Sequence, residues 1–222
     1  MFLPTPQTAP RLIAAALLLA TGTAMADCQS DFARDNRVKP EAGPFKVTEA
    51  RTPQSKLEDG RWVNSLRQGA VNSVTEVVPA RKAFRVTSDA RFGTHYVGIG
   101  QRAWMKSLPD GAWEALDAET AAAFANATQT YVLAEDMSDL ICSDAQDKGK
   151  GRAVRIYRYH VPGDGLTSTL TAINAQFDAR SGLPLATTAE GMGKANAFKA
   201  VGHFVFDRKI DIRPPVKDTP AR

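Results

Sequence analysis

The chain of 222 residues has few side chains suited to metal binding or nucleophilic catalysis: three histidines and two cysteines. His95, His160 and His203 lie far apart, without the close pairing of an HExxH-type zinc motif. Neither a GxSxG elbow nor a P-loop occurs. Gly98 and Gly100 lack the third glycine and the following helix of a dinucleotide-binding loop. We therefore expect no metal, no cofactor and no enzymatic activity.

The chain also lacks a strong excess of charge of either sign. It contains 28 Lys and Arg residues against 24 Asp and Glu residues, for a net charge of +4. The basic residues are scattered among acidic ones and form no stripe, so we expect no binding to nucleic acid.

No apolar run is long enough to span a bilayer, which takes about 20 residues. The longest, residues 12–20, follows Arg11 and precedes Ala24-Met25-Ala26, a small-x-small cleavage pattern. Residues 1–26 are therefore predicted to be a signal peptide, cleaved before Asp27. The remaining 196 residues suffice for one domain with a sizeable core, and we expect this mature chain to be exported and soluble.

Both cysteines, Cys28 and Cys142, follow the predicted cleavage site. In an oxidising compartment a disulfide between them is the simplest expectation. The alternative is that Cys28 is acylated as in a lipoprotein. Met25 and Asp27 argue against this, because a lipobox has a Leu-like residue three positions before the cysteine and a small residue directly before it.

From Phe45 onward the sequence favours short strands separated by turns. Apolar and polar residues alternate in segments such as 45–48, 84–89 and 153–161, as in strands with one apolar and one solvated face. The spacing of the turns predicts an antiparallel meander. In the last predicted strand Phe204, Phe206, Ile210 and Ile212 share a face, which only Arg208 interrupts.

Three segments depart from this pattern. Residues 117–126 are rich in helix formers and start with Asp117, a suitable N-cap. A short helix is also predicted between Asp27 and Pro40. Residues 131–140 are compatible with either helix or loop.

The residues after Pro215 are polar and proline-containing, and we expect 217–222 to be a disordered tail.

Several short motifs occur along the chain in an order that is typical of one superfamily. They are Val77-Val78-Pro79-Ala80-Arg81, Gly98 with Trp104-Met105-Lys106, Gly111-Ala112-Trp113, the turn Phe177-Asp178-Ala179-Arg180-Ser181-Gly182-Leu183-Pro184, and the final Phe206-Asp207 with Ile210-Asp211-Ile212-Arg213-Pro214-Pro215. In this respect residues 45–215 resemble the LolA, LolB and LppX group of periplasmic lipoprotein and lipid carriers. The cysteine-bearing first segment departs from the general pattern of that group.

The resemblance implies a mainly β fold with short helices. One strongly curved antiparallel sheet, a half-barrel spanning a single domain over residues 27–216, would carry a helical lid over its concave apolar face. The residues expected to line that groove are Phe45, Val47, Phe84, Val86, Trp104, Ile173, Phe177, Phe204 and Phe206. Phe124 and Leu116 are the expected lid residues. For each single residue, ordinary core packing is the alternative role, and the groove is accordingly either open or filled.

The function implied by the resemblance is that of a carrier or binding protein for a lipid or a lipoprotein acyl chain, located in the periplasm of an envelope of the Gram-negative type. An alternative is an envelope-stress sensor or adaptor with the same fold, acting through an envelope protein partner. The carrier is expected to be a monomer whose partner is a lipid or an acylated protein.

Overall fold

The computed structural model describes residues 27–54, 56–58, 61–63, 69–147, 151–162, 170–192 and 197–216. The predicted signal peptide (1–26) and tail (217–222) lie outside these residues. No helix of the described part of the chain is long and apolar enough to cross a membrane.

The described chain contains two α-helices and thirteen strands. The helices are α1 (residues 27–36) and α2 (Ala118–Ala127). The strands are β1 (Phe45–Gln54), β2 (Lys56–Glu58), β3 (Arg61–Val63), β4 (Val71–Val78), β5 (Ala83–Ser88), β6 (Gly93–Ile99), β7 (Arg102–Leu108), β8 (Trp113–Ala115), β9 (Ser138–Asp147), β10 (Arg152–Pro162), β11 (Leu170–Asp178), β12 (Pro184–Met192) and β13 (Ala197–Phe206). Short 3-10 turns at Pro40–Ala42 and Pro79–Arg81 begin with proline, whose preset φ suits the first position of a helical turn.

Eleven strands form one antiparallel sheet in the order β8-β7-β6-β5-β4-β1-β13-β12-β11-β10-β9, while β2 and β3 form a separate hairpin. Two meanders, β4 to β8 and β9 to β13, meet on either side of β1. Phe45 of β1 faces Val77 of β4 and Phe206 of β13. The two ends, β8 and β9, do not pair with each other, so the sheet is an open, curved half-barrel. The predicted fold class is confirmed.

Most of the core lies on the concave face of this sheet. In β11 every second side chain from Thr171 to Phe177 is buried and the intervening ones are half-buried, as the period-two pattern predicts. A continuous buried cluster joins β11 to the middle of the sheet and to the segments that cover it. Its members include Phe32, Phe45, Phe84, Tyr131, Tyr157, Tyr159 and Phe177.

A second, smaller cluster lies on the opposite face. Trp104 and Val97 face each other across β7 and β6, and they pack with Ile212, which is fully buried. Ile212 arrives there because β13 ends at Phe206 and the chain turns at Asp207, whose carbonyl accepts a hydrogen bond from the Ile210 amide. The prediction that Ile210 and Ile212 continue the face of Phe206 is therefore wrong: the turn interrupts the alternation.

Both predicted helices are present. Asp117 caps α2 by accepting a 2.8 Å hydrogen bond from the Thr120 amide, and this bond lowers the pKa of its carboxyl group. The disulfide Cys28–Cys142, with 5.8 Å between the Cα atoms, ties α1 to β9. The predicted pairing of the two cysteines is confirmed.

Candidate functional site

The concave face is not completely filled. A cavity of about 430 Å³ lies between this face and the segment 131–133. The size falls within the range of about 300–1,000 Å³ that is usual for small-molecule sites. Most of the lining is apolar and comes from strands in the centre of the sheet and from the covering segment: Val47, Glu49, Arg51, Thr75, Tyr131, Val132, Leu133, Val161, Pro162, Thr171, Ile173, Thr187, Ala189, Phe198, Ala200 and Phe204.

Small residues create the depth of the cavity. Ala189 of β12 and Ala200 of β13 are cross-strand partners on its floor. Because neither side chain extends beyond Cβ, the space above them is left empty where larger residues elsewhere on the face fill it. The walls are formed by Val47 and Phe204 on one side and Ile173 on the other.

The cover over the cavity is a loop fixed by one buried amide. The Asn36 side chain, at the end of α1, donates from Nδ2 to the Val132 carbonyl (3.1 Å) and accepts at Oδ1 from the Val132 amide (2.8 Å). The Asn36 carbonyl also accepts from the Tyr131 amide at 2.8 Å. Asn36 is 3% exposed, so these bonds form in a low-dielectric setting where losing them is costly.

The sheet also holds the cover from below through a tyrosine. The buried Tyr159 hydroxyl donates a 2.7 Å hydrogen bond to the Leu133 carbonyl, and burial raises the pKa of this phenol. The next tyrosine on the same face, Tyr157, donates at 2.7 Å to the Asp35 carboxylate on α1. Burial and the neighbouring Asp35 raise the pKa of Tyr157. Both hydroxyls therefore stay protonated and act as structural donors.

Helix α1 supports the cover through its own packing. The Phe32 ring lies 4.9 Å from that of Tyr157 and 5.1 Å from that of Tyr159, centroid to centroid. Arg155 of β10 adds ion pairs to Asp31 (3.1 Å) and Asp35 (3.5 Å) on the helix. Together with the disulfide, these contacts fix α1, and with it Asn36, on the concave face.

One end of the cavity is polar. Glu49 and Arg51 lie on the same face of β1 as Val47, two and four residues further on, and both line the cavity. Glu49 is half-buried, and burial raises the pKa of its carboxyl group while the nearby positive charge of Arg51 opposes that rise. The Arg51 guanidinium carbon lies 3.7 Å from the centroid of the Phe198 ring, a distance that permits cation–π attraction.

The predicted groove residues fall into three groups. Val47, Ile173 and Phe204 line the cavity. The second group packs into the surrounding core without being part of the lining: Phe45, Phe84, Val86, Phe177 and Phe206. Trp104 requires a correction, because its strand register places it on the opposite face, against Ile212.

The two predicted lid residues lie away from this cavity. Phe124 on α2 packs against Phe84 and Tyr96, with ring centroids 5.5 and 4.9 Å apart, so α2 covers the β5 to β7 end of the sheet. Leu116 precedes α2, and its amide donates to the Ala103 carbonyl at 2.9 Å. The cover of the cavity is the segment 131–133, whose conformation the sequence left undecided.

Sequence patterns pointed to some of the missed residues and not to others. Glu49 and Arg51 continue the alternation of Phe45 and Val47 in the sequence. The sequence therefore already indicated two charged side chains on the apolar face of β1. Tyr131, Val132 and Leu133 carry no periodic signal, because a loop contributes them. No group of three or more His, Cys, Asp or Glu side chains among the described residues could hold a metal ion.

Comparison with known proteins finds similarity in structure only. No family model and no curated protein sequence matches the chain. Among solved structures, the lipoprotein LppX of Mycobacterium tuberculosis matches at 9% identity and a TM-score of 0.48, over 85% of this chain and 99% of that one. A LolA superfamily protein, NE2245 of Nitrosomonas europaea, matches at 13% identity and a TM-score of 0.31, over 87% and 94% of the two chains.

Proposed function

We propose that the protein is an exported, periplasmic carrier or binding protein for a hydrophobic ligand, a lipid or a lipoprotein acyl chain. The ligand lies between the concave face of the sheet and the segment 131–133. The observation that carries this proposal is the apolar cavity itself: on a face that is otherwise packed with aromatic rings, Ala189 and Ala200 leave about 430 Å³ beneath a fixed cover.

The energetics favour an apolar guest. Each methylene group moved from water into the cavity contributes about 0.8 kcal/mol. An acyl chain needs few directed polar contacts, and most of the residues around it here are aliphatic or aromatic. Export is supported by the disulfide Cys28–Cys142, since such bonds persist in oxidising compartments.

A cavity-filling variant tests the proposal. Ala200→Leu places a larger side chain on the cavity floor, whereas Ala172→Leu places the same side chain on β11 but on the opposite face of the sheet. The purified wild-type protein is examined for co-purifying lipid by native mass spectrometry. Binding of a long-chain alkyl ligand to the wild-type protein and to both variants is measured by calorimetry. We expect Ala200→Leu to lose binding and Ala172→Leu to retain it.

Circular dichroism and thermal unfolding establish that both variants are folded. If Ala200→Leu does not fold, Val47→Phe narrows the same cavity from its wall and takes its place. Undiminished binding in a folded cavity-filling variant, or a wild-type protein that binds no alkyl ligand, would contradict the proposal.

A further inference from the structure

The charged residues at the polar end of the cavity indicate which head group the ligand has. Arg51 is exposed, while the Phe198 ring beneath it is half-buried and lines the cavity. Stacking of the guanidinium on this ring leaves the N–H groups, which lie in the guanidinium plane, directed outward from its edges. No hydrogen bond from Arg51 to a described residue forms. A positioned cation whose donors bond to no residue in the described part of the chain therefore lies where the apolar cavity reaches the surface.

The position of Arg51 is set by the cavity wall. Phe198 lies over Gly191, its cross-strand partner on β12, and a Cβ at Gly191 would overlap the Phe198 ring. The glycine thus lets the ring lie against the sheet, and the flat ring provides the platform for the guanidinium. Because a planar fork of donors matches a carboxylate or phosphate in a bidentate manner, this arrangement suits an anionic group.

Glu49 gives the ligand a direction. It lies two residues before Arg51 on the same strand face, about 6.6 Å deeper along β1, and it is half-buried in the cavity lining. A ligand anion placed at this depth would meet a carboxylate of like charge in a poorly solvated setting. The head group is therefore favoured at Arg51, with the chain directed past Glu49 towards Val47 and Phe204.

The size of the cavity limits the number of chains. Its volume of about 430 Å³ lies in the lower part of the usual range of about 300–1,000 Å³. A cavity of this volume accommodates one alkyl chain better than the several chains of a fully acylated lipoprotein terminus.

We propose that the cavity binds a single-chain amphiphile with an anionic head, and that Arg51, stacked on Phe198, binds that head. The inference rests on the proposed function and specifies its ligand. A fatty acid and a single-chain phospholipid share this chemistry, since the first presents a carboxylate and the second a phosphate.

The test compares four ligands with the same twelve-carbon (dodecyl-length) chain: dodecanoate, dodecyl phosphate, dodecanol and dodecylamine. Affinities are measured by calorimetry below the micelle-forming concentration, with the wild-type protein, Arg51→Gln and Arg102→Gln. Arg102 is the matched control because its guanidinium lies over the ring of Trp104, at 5.6 Å, on the opposite face of the sheet.

We expect wild-type protein to bind dodecanoate or dodecyl phosphate at least about tenfold more tightly than dodecanol, as hydrogen bonds to charged groups imply. Arg51→Gln should remove this preference while leaving dodecanol binding nearly unchanged, and Arg102→Gln should behave as wild type. Glu49→Gln should tighten binding of the anions. A preference for the carboxylate indicates a free fatty acid, and one for the phosphate indicates a lipid head group.

The outcomes separate the two proposals. Equal binding of all four ligands, or an anion preference that survives Arg51→Gln, overturns the role of Arg51 and leaves the hydrophobic site in place. A preference of the wild-type protein for dodecylamine that Glu49→Gln abolishes also overturns the role of Arg51 in binding the head group. Failure of the wild-type protein to bind any of the four ligands contradicts the proposed function itself.

Discussion

The side chain of Asn36 satisfies both backbone groups of Val132, donating to its carbonyl at 3.1 Å and accepting from its amide at 2.8 Å. The two residues are 96 positions apart in the sequence. Through this pair the end of α1 holds the loop over the cavity. The loop has no regular secondary structure of its own at 131–134, so its conformation depends on such long-range bonds.

The first prediction concerns this pair. Asn36→Ala should lower the free energy of unfolding by about 1–3 kcal/mol, because two buried backbone groups of Val132 lose their partner. Amide hydrogen exchange at Val132 should accelerate more than exchange in the central strands. Asn126→Ala, an exposed asparagine on α2, is the control and should change stability little. Unchanged exchange at Val132 in Asn36→Ala would show that the loop is held by other contacts.

The second prediction concerns the disulfide. Cys28→Ser should lower the free energy of unfolding by about 2–4 kcal/mol, since Cys28 and Cys142 are 114 residues apart and closing a long loop restricts the unfolded chain. Chemical denaturation with and without reductant measures the effect in the wild type, and the reduced protein should match the variant. Two reactive thiols in a titration of the native, unreduced protein would refute the bridge.

The third prediction compares two glycines that lie beneath phenylalanine rings. A Cβ at Gly98 would overlap Phe84 in the core, and one at Gly191 would overlap Phe198 beside the cavity. Gly98→Ala should cost about 1–3 kcal/mol of stability, the usual effect of overpacking. Gly191→Ala should displace Phe198 and so reduce ligand affinity.

The control for this comparison is Gly69→Ala, because nothing lies within 4 Å of a Cβ at that position. Thermal unfolding and dodecanoate calorimetry are measured on all three variants. Gly98→Ala, once folded, should bind the ligand as the wild type does. An equal loss of affinity in Gly98→Ala and Gly191→Ala would show that the Phe198 platform has no specific role.

The fourth prediction concerns pH. Burial raises the pKa of Glu49 in the folded protein, so the folded state holds its proton more tightly than the unfolded state does. The stabilisation is therefore complete below the unfolded pKa, and it is lost as pH rises through the folded pKa. Glu49→Gln should consequently be more stable than wild type at neutral pH, and the difference should vanish in acid, below about pH 4.

Urea denaturation of both proteins across this pH range measures the difference. Glu76→Gln is an informative contrast, since Glu76 forms an ion pair with Arg85 on the opposite face and should not be stabilised by losing its charge. A Glu49→Gln variant less stable than wild type at neutral pH would mean that attraction to Arg51 outweighs the cost of burial.

The agreement between sequence and structure is best where the physical rule is local. Alternation along β1 and β11 depends only on the pleat of a strand, and it placed Phe45, Val47, Ile173 and Phe177 on one face, as the structure does. The N-cap at Asp117 likewise follows from its own side chain and the next turn. The cysteine pairing followed from there being only two cysteines in the chain.

The errors arose where the rule required knowledge of neighbours. Trp104 has the right alternation for a buried strand residue, but which face it occupies depends on the register of β6 and β7. Ile212 follows Phe206 at an even spacing, but the turn at Asp207 carries it to the other face of the sheet. One shift of register exchanges the two faces of a strand, and the period alone does not reveal it.

The sequence by itself determined which residues share a face in β1 and β11, the capped start of α2 and the disulfide, because each depends on neighbours in the chain or on simple counting. Only the tertiary structure decided which apolar residues surround empty space. Val47 and Phe45 are alike in pattern, yet one lines the cavity and the other is packed beneath Tyr131. The difference comes from Asn36, Ala189 and Ala200, which set the height of the cover and the depth of the floor from distant parts of the chain. Packing depends on residues that are distant in the sequence and adjacent in space. The position of the cavity therefore follows from the tertiary structure and not from the sequence pattern.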